Sequence, residues 1–129
     1  MNIRVYEDKD YPMITKWWET QGWPILPEAA LPAVGFIVEE DEVSLCAGFV
    51  YRTDSSFALF EWIVGNPEAD KDKRREGLDL LIKTASLYIK EEGFSLVLTM
   101  TKHPSFITRL ENHGFQETDH GMTHLVKGV

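Results

Sequence analysis

Apolar residues between Gly35 and Val64 fall in three short runs, GFIVEE, VSLCAGFVYR and SFALFEWIV, separated by an acidic turn around Asp41 and by TDSS. Runs of this length between turn-forming residues predict three strands of an antiparallel meander. Upstream, Ile3 to Tyr6 alternates briefly as a strand would. DKDYPMITKWWETQ then predicts a helix to about Gln21, with Asp10 placed to cap it and Pro12 in its first turn. Gly22 to Pro32 holds three prolines among Trp23, Ile25, Leu26 and Leu31, which predicts an irregular loop or a short second helix packed on the body. Downstream, Leu78, Leu81, Ile82, Ala85 and Ile89 recur at helical spacing, with Gly93 as the expected C-cap. FSLVLTMT follows and is apolar on both faces, as a central strand is; the strand, helix, strand order makes it parallel to the run ending at Val64. A short helix from about Pro104 to Asn112 comes next, and Phe115 to Val126 reads as two final strands broken near Gly121. The expected architecture is α/β (α+β): a mixed, mostly antiparallel sheet of six to seven strands with a central parallel pair, flanked by three to four helices. No repeat, low-complexity tract or Gly/Ser linker divides the chain, so residues 1–129 are expected to form a single domain.

Composition narrows the function classes. The chain of 129 residues is 43% hydrophobic, enough for one core, and no apolar run approaches the roughly 20 residues that cross a bilayer. The opening MNIRVYEDKD lacks a signal-peptide h-region, and the one cysteine, Cys46, has no disulfide partner and reads as a buried small hydrophobe. These features predict a cytoplasmic protein. A net charge of -8 disfavours nucleic acid and anionic membrane as partners, and favours cationic or neutral ones. A monomer and a homodimer are both compatible with the sequence.

Against that acidic background, Lys71, Lys73, Arg74 and Arg75 place four of the thirteen basic side chains within five positions, at the start of the long helix. A helix N-terminus already carries partial positive charge, so cations gathered there point to an anion of phosphate size; the alternative is a solvated face balanced by Glu68, Asp70, Asp72 and Glu76. Gly77 would permit close approach of backbone or ligand. A second candidate is Glu61, the only charge in FALFEWIV. A carboxyl enclosed in an apolar strand has a raised pKa and suits a general base; the alternative is a carboxylate reaching solvent. Strict alternation would put Phe57, Leu59, Glu61 and Ile63 on one face and Ala58, Phe60, Trp62 and Val64 on the other. Trp17, Trp18 and Trp23 crowd three of the four tryptophans into seven residues, where aromatic faces would attract an ammonium group or simply pack on the sheet. His113, His120 and His124 show no convincing ligand spacing, so no metal is expected, and no GxSxG elbow is present.

The order of elements, the basic turn before the long helix, and LENHGF near the end together resemble the GNAT N-acetyltransferase superfamily over essentially the whole chain. The resemblance is to a small variant with a loose motif, of the kind found among phage-encoded or bacterial members. In that family the turn reads Q/RxxGxG/A before a Leu pair and holds the CoA pyrophosphate. GLDLL matches the end of the motif. That register places Gly77 at its last position, Arg75 at the central glycine and Asp72 at the leading Gln/Arg, the last two departing from the pattern. An alternative register uses Arg74 and Gly77 as RxxG and shifts the Leu pair.

The resemblance implies acetyl-CoA as cosubstrate, bound by Asp72, Lys73, Arg74, Arg75, Glu76 and Gly77. It further implies that Ile63, Val64 and Gly65 orient the pantetheine along their strand, with His103 at the position of a family asparagine. Glu61 would be the base, and Trp17, Trp18 and Trp23 the acceptor site. The family's frequent tyrosine acid falls at Leu110; Tyr88, Thr99, Thr101 and Ser105 are the remaining hydroxyl candidates. The implied activity is direct transfer of an acetyl group from acetyl-CoA to a primary amine on a small molecule or peptide. The alternative is a catalytically inactive GNAT-like binding or regulatory protein.

Overall fold

A computed structural model describes residues 1–129. Strand β1 (Asn2–Val5) leads through a 3-10 turn at Asp8–Asp10 into helix α1 (Tyr11–Thr20). A second 3-10 turn, Glu28–Ala30, interrupts the proline-rich segment before β2 (Val34–Glu40), β3 (Val43–Tyr51) and β4 (Phe57–Gly65). Then come helix α2 (Lys71–Glu91), β5 (Leu96–Leu98) and helix α3 (Pro104–Asn112). The strands form one sheet in the order β1-β2-β3-β4-β5, antiparallel throughout except for the parallel pair β4–β5.

Six consecutive residues, Leu45 to Val50, are buried because β3 is covered on both faces. On one face α2 lays Leu81, Ile82, Ala85 and Ile89 against Phe36, Val38, Leu45, Cys46, Val50, Ala58 and Phe60. On the other, Ile14, Trp17 and Trp18 of α1 pack on Ile37, Ala47, Phe49 and Val64. Gly77 lies where α2 crosses β3: a Cβ there would sit 3.3 Å from both the Cys46 Sγ and the Leu45 Cβ, so glycine lets the helix lie close to the sheet. Burial pushes the Cys46 thiol up to about 12, which keeps it protonated. Helix α3 is tied to α2 by Asp79, whose carboxylate accepts hydrogen bonds from Arg109 at 2.7 Å and His113 at 2.9 Å.

Asp10 stands at the N-cap position of α1 but makes no side-chain cap to it. Its carboxylate is taken by the Arg4 guanidinium through two bonds of 2.8 Å and by the Glu7 N–H at 2.9 Å, so it ties β1 to the turn instead.

The sheet has five strands rather than six to seven, and the α-helices number three. The segment Phe115 to Val126, expected as two strands, forms none. Its polar run Glu117 to His120 offers no alternating apolar face, and beyond Phe115, which packs on the α2-side core, its apolar residues stay in water, Leu125 at 90% exposure. The parallel pair is consequently at the edge of the sheet and not at its centre. Strand β5, expected to be covered on both sides, is an edge strand of three residues with Leu96 64% exposed. No helix is long and apolar enough to cross a membrane.

Candidate active site

Strand β4 pairs with β5 only through Phe57, Ala58 and Leu59. From Phe60 to Gly65 it is bonded to β3 alone, so its other edge offers backbone N–H and C=O groups that no strand takes up. The pairing with β3 also shifts register between Ala47 and Phe49, where β4 carries one extra residue. The irregularity centres on Trp62, which has a left-handed φ of 57°. A bulge of this kind re-aims side chains. Strict alternation therefore fails after Glu61: Trp62 and Val64 join the α1-side cluster, while Ile63 packs on the α2 side and not beside Glu61. Glu61 stands opposite Phe49, a member of the α1-side cluster, so Glu61 and Trp62 are neighbours on one face.

Burial raises the Glu61 carboxyl to about 7, with the Met100 backbone N–H the one group drawing it down. Its Oε1 is buried with no hydrogen-bond partner. The other two such side-chain atoms, Tyr6 Oη and Trp18 Nε1, belong to residues of the same α1-side cluster. Met100 follows two residues after β5, so the carboxyl sits where β4 and the chain leaving β5 part.

Beside Glu61 is an aromatic wall. The Trp62 ring lies 5.5 Å from that of Trp18 and 6.4 Å from that of Trp23. Trp17 and Trp18 are fully packed and offer no surface to a ligand, whereas Trp23 and Trp62 are half-buried and do. The Trp62 Nε1–H donates to the Tyr51 hydroxyl at 3.1 Å, and that hydroxyl donates to the Ala30 carbonyl at 3.1 Å. Sequence reasoning missed both Tyr51 and Trp62 as site residues. A bulge leaves no mark on periodicity, and nothing in VYRTD distinguishes a tyrosine that turns inward.

The start of α2 is arranged differently from a cluster of free cations. Asp70 is the N-cap, and its carboxylate accepts the Lys73 N–H at 3.0 Å. The Arg74 guanidinium donates to the carbonyls of Asn66 at 3.0 Å and Ala69 at 3.4 Å, and its stem fills the space at Gly65, where a Cβ would meet Arg74 Cδ at 2.6 Å. Lys73 reaches back to Glu40 and Asp41, at 3.4 and 3.6 Å, in the β2–β3 turn. Arg75 is exposed, 4.0 Å from Asp72, and Lys71, Asp72 and Glu76 are exposed as well. The hollow beside this turn, about 430 Å³, is lined by Glu40, Asp41, Glu68, Asp70 and Lys73 and is acidic. Gly77, in the second turn of α2, faces β3 rather than the helix end. What the turn offers an anion is therefore the first helical amides, at Lys71 and Asp72, with Arg75 at their edge.

His103 is the N-cap residue of α3, and its exposed ring is 2.9 Å from the Ser105 hydroxyl. Leu110 is buried against α2 and provides no proton. Tyr88 packs on Phe36 and touches Glu92 at the other end of α2, away from Glu61.

The sequence matches no family model and no curated protein. Solved structures match the fold closely. One described as a probable acetyltransferase is 18% identical, with a TM-score of 0.75 over 100% of this chain and 99% of that one. A Mycobacterium tuberculosis protein in complex with CoA is 15% identical, with a TM-score of 0.68 over 92% and 74%. A structure from Novosphingobium aromaticivorans, ascribed to the GNAT family of acetyltransferases, is 17% identical, with a TM-score of 0.70 over 90% and 52%. The chain has the GNAT-like fold that these structures share.

Proposed function

We propose that this protein is an acyl-CoA-dependent N-acetyltransferase that transfers an acetyl group from acetyl-CoA directly to a primary amine. The reading is carried by Glu61: a half-buried carboxyl, raised to about 7, with one buried orphan oxygen at the point where β4 and β5 part. A base of that pKa is half-ionised near neutrality and able to accept the proton an attacking amine must lose. The free edge of β4 from Phe60 to Gly65 would hold the pantetheine by backbone hydrogen bonds, and an N–H there would polarise the thioester carbonyl. The amine nitrogen forms a bond to the carbonyl carbon, its proton passes to Glu61 directly or through a water, and the carbon–sulfur bond breaks to release CoA thiolate. Trp23 and Trp62 would form one wall of the acceptor site. The amides of Lys71 and Asp72 would meet the pyrophosphate.

A second reading, a GNAT-like protein that binds CoA or a partner without turnover, is favoured by the start of α2. There the Asp70 carboxylate caps the helix and Arg74 is committed to loop carbonyls. Calorimetry with acetyl-CoA, followed by thiol-release assays with polyamines, amino acids, aminoglycosides and peptides, separates the two. Binding with turnover that Glu61→Gln slows supports transfer; binding without turnover on any amine supports the second reading. No binding at millimolar CoA would remove acetyl transfer and the CoA-binding form of the second reading, leaving only its partner-binding form.

A further inference from the structure

Trp62 holds a backbone conformation that a bulky residue adopts only when its surroundings impose it. Two kinds of contact impose it. The indole is packed among Trp18 and Trp23, and its Nε1–H is held by Tyr51. Tyr51 is the last residue of β3, opposite Leu59 and two positions along from the Phe49–Glu61 pair. Its hydroxyl is saturated on both sides, accepting from Trp62 and donating to Ala30 in the proline-rich segment. Burial raises the pKa of this hydroxyl, the bond from Trp62 draws it down, and the charge of Glu61 adds a smaller rise. Tyr51 is thus fixed to the bulge, to the wall of the acceptor side and to the neighbourhood of the carboxyl at once.

We propose that Tyr51 is a positioning residue for the Glu61 base: its hydroxyl holds the Trp62 indole, and with it the bulge that keeps the Glu61 carboxyl enclosed at the β4–β5 splay. The inference rests on the acyl-transfer reading for its kinetic consequence but not for its structural one. Without the bulge, strict alternation would restore Trp62 to the α2 side. With the bulge loosened, the carboxyl gains freedom to turn to water and become an ordinary carboxylate. Besides burial, the one group acting on the ionisation of Glu61 is the Met100 N–H, so Tyr51 reaches the carboxyl through the bulge and not through a charge of its own.

The test uses the whole chain and three variants, Tyr51→Phe, Trp62→Phe and the double. Two measurements need no turnover: the Trp62 indole N–H resonance, and the titration of the Glu61 side-chain carboxyl by carbon NMR. In Tyr51→Phe the indole resonance should move upfield and the Glu61 midpoint should fall by on the order of one pH unit. In the assay, each single variant should lower kcat about tenfold or more with KM for acetyl-CoA unchanged, and the double should be no slower than Trp62→Phe alone, because the Tyr51 hydroxyl acts through the indole that this variant already removes. A Glu61 midpoint in Tyr51→Phe equal to that of the wild type would overturn the proposal, as would single effects that multiply in the double. If the wild-type protein transfers nothing, the acyl-transfer reading fails while the NMR measurements still decide the role of Tyr51.

Discussion

Replacing Glu61 by glutamine should change both the rate and the stability of this protein in a pH-dependent way, with signs set by the raised carboxyl. With a pKa of about 7, roughly one-tenth of the wild-type molecules carry the charged base at pH 6 and roughly nine-tenths at pH 8. The kcat/KM of the wild type should therefore rise about tenfold between those values, where an ordinary carboxylate near 4.3 would leave it flat. Ionisation of the acceptor amine adds its own slope, which Glu61→Gln measures with the same amine. The variant should be slower by about 10²- to 10⁴-fold at pH 8 and lack the limb near 7.

Stability runs the other way. The folded pKa lies above the unfolded one, so the full stability is present below about 4.5 and is lost as pH rises through 7, because burial opposes the charge. A shift of this size corresponds to about 3 kcal/mol, and partial contact with water reduces it to about 1–3 kcal/mol. Urea unfolding should thus find Glu61→Gln as stable as the wild type at pH 4.5 and more stable by that amount at pH 8. Equal stability differences at both pH values, or a wild-type rate limb that survives in Glu61→Gln, would refute the assignment of a raised, catalytic carboxyl.

Three other substitutions probe the frame around the site. Arg4→Ala leaves the Asp10 carboxylate buried with only the Glu7 N–H and should cost about 1–3 kcal/mol in urea unfolding at pH 7. The Arg4 guanidinium holds the Asp10 carboxyl below the usual carboxylate range, so this contribution is present at neutral pH, is lost as pH falls through the folded pKa of Asp10, and the variant should converge on the wild type in acid. Gly77→Val forces α2 off Leu45 and Cys46 and should destabilise by about 1–3 kcal/mol by the same measurement. Arg74→Met keeps the stem over Gly65 but drops the bonds to Asn66 and Ala69; thermal unfolding should show a loss of about 1–2 kcal/mol, while acetyl-CoA affinity by calorimetry should fall less than threefold.

Much of the frame is legible in the pattern of residues. The meander, α1, α2 and α3 follow from short apolar runs and helical spacing, because each buries one stripe or face against a neighbour. The edge position of β5 is not legible: FSLVLTMT has the composition of a covered strand, and only the failure of Phe115 to Val126 to pair with it decides otherwise. Charge is misleading for a related reason. KDKRREG reads as four cations at a helix end, yet where each cation points depends on side-chain packing several residues away. Gly65 makes room for Arg74, and the β2–β3 turn brings Glu40 and Asp41 to Lys73. Glu61 could be singled out as one charge in an apolar run. Its partners Trp62 and Tyr51 could not, since an added residue in one strand shifts faces without altering composition.

The bulge is the feature on which the candidate site turns, and its energetics explain why so many aromatic residues gather there. A left-handed tryptophan costs on the order of 1–3 kcal/mol. Against this stand two aromatic pairs, with Trp18 and Trp23, contributing about 0.5–1.5 kcal/mol each, and the indole bond to Tyr51, contributing about 0.5–1.5 kcal/mol. The sums are comparable, so the bulge holds only with its whole aromatic setting in place. Under the proposed function that setting serves two demands of direct transfer together. The strand that bulges is the strand whose outer edge is left free for a thioester, and the turn in its backbone puts the base and an aromatic wall on one face. Trp17 and Trp18, read from the sequence as acceptor contacts, then act one layer back, Trp18 against the Trp62 ring and Trp17 within the same buried cluster.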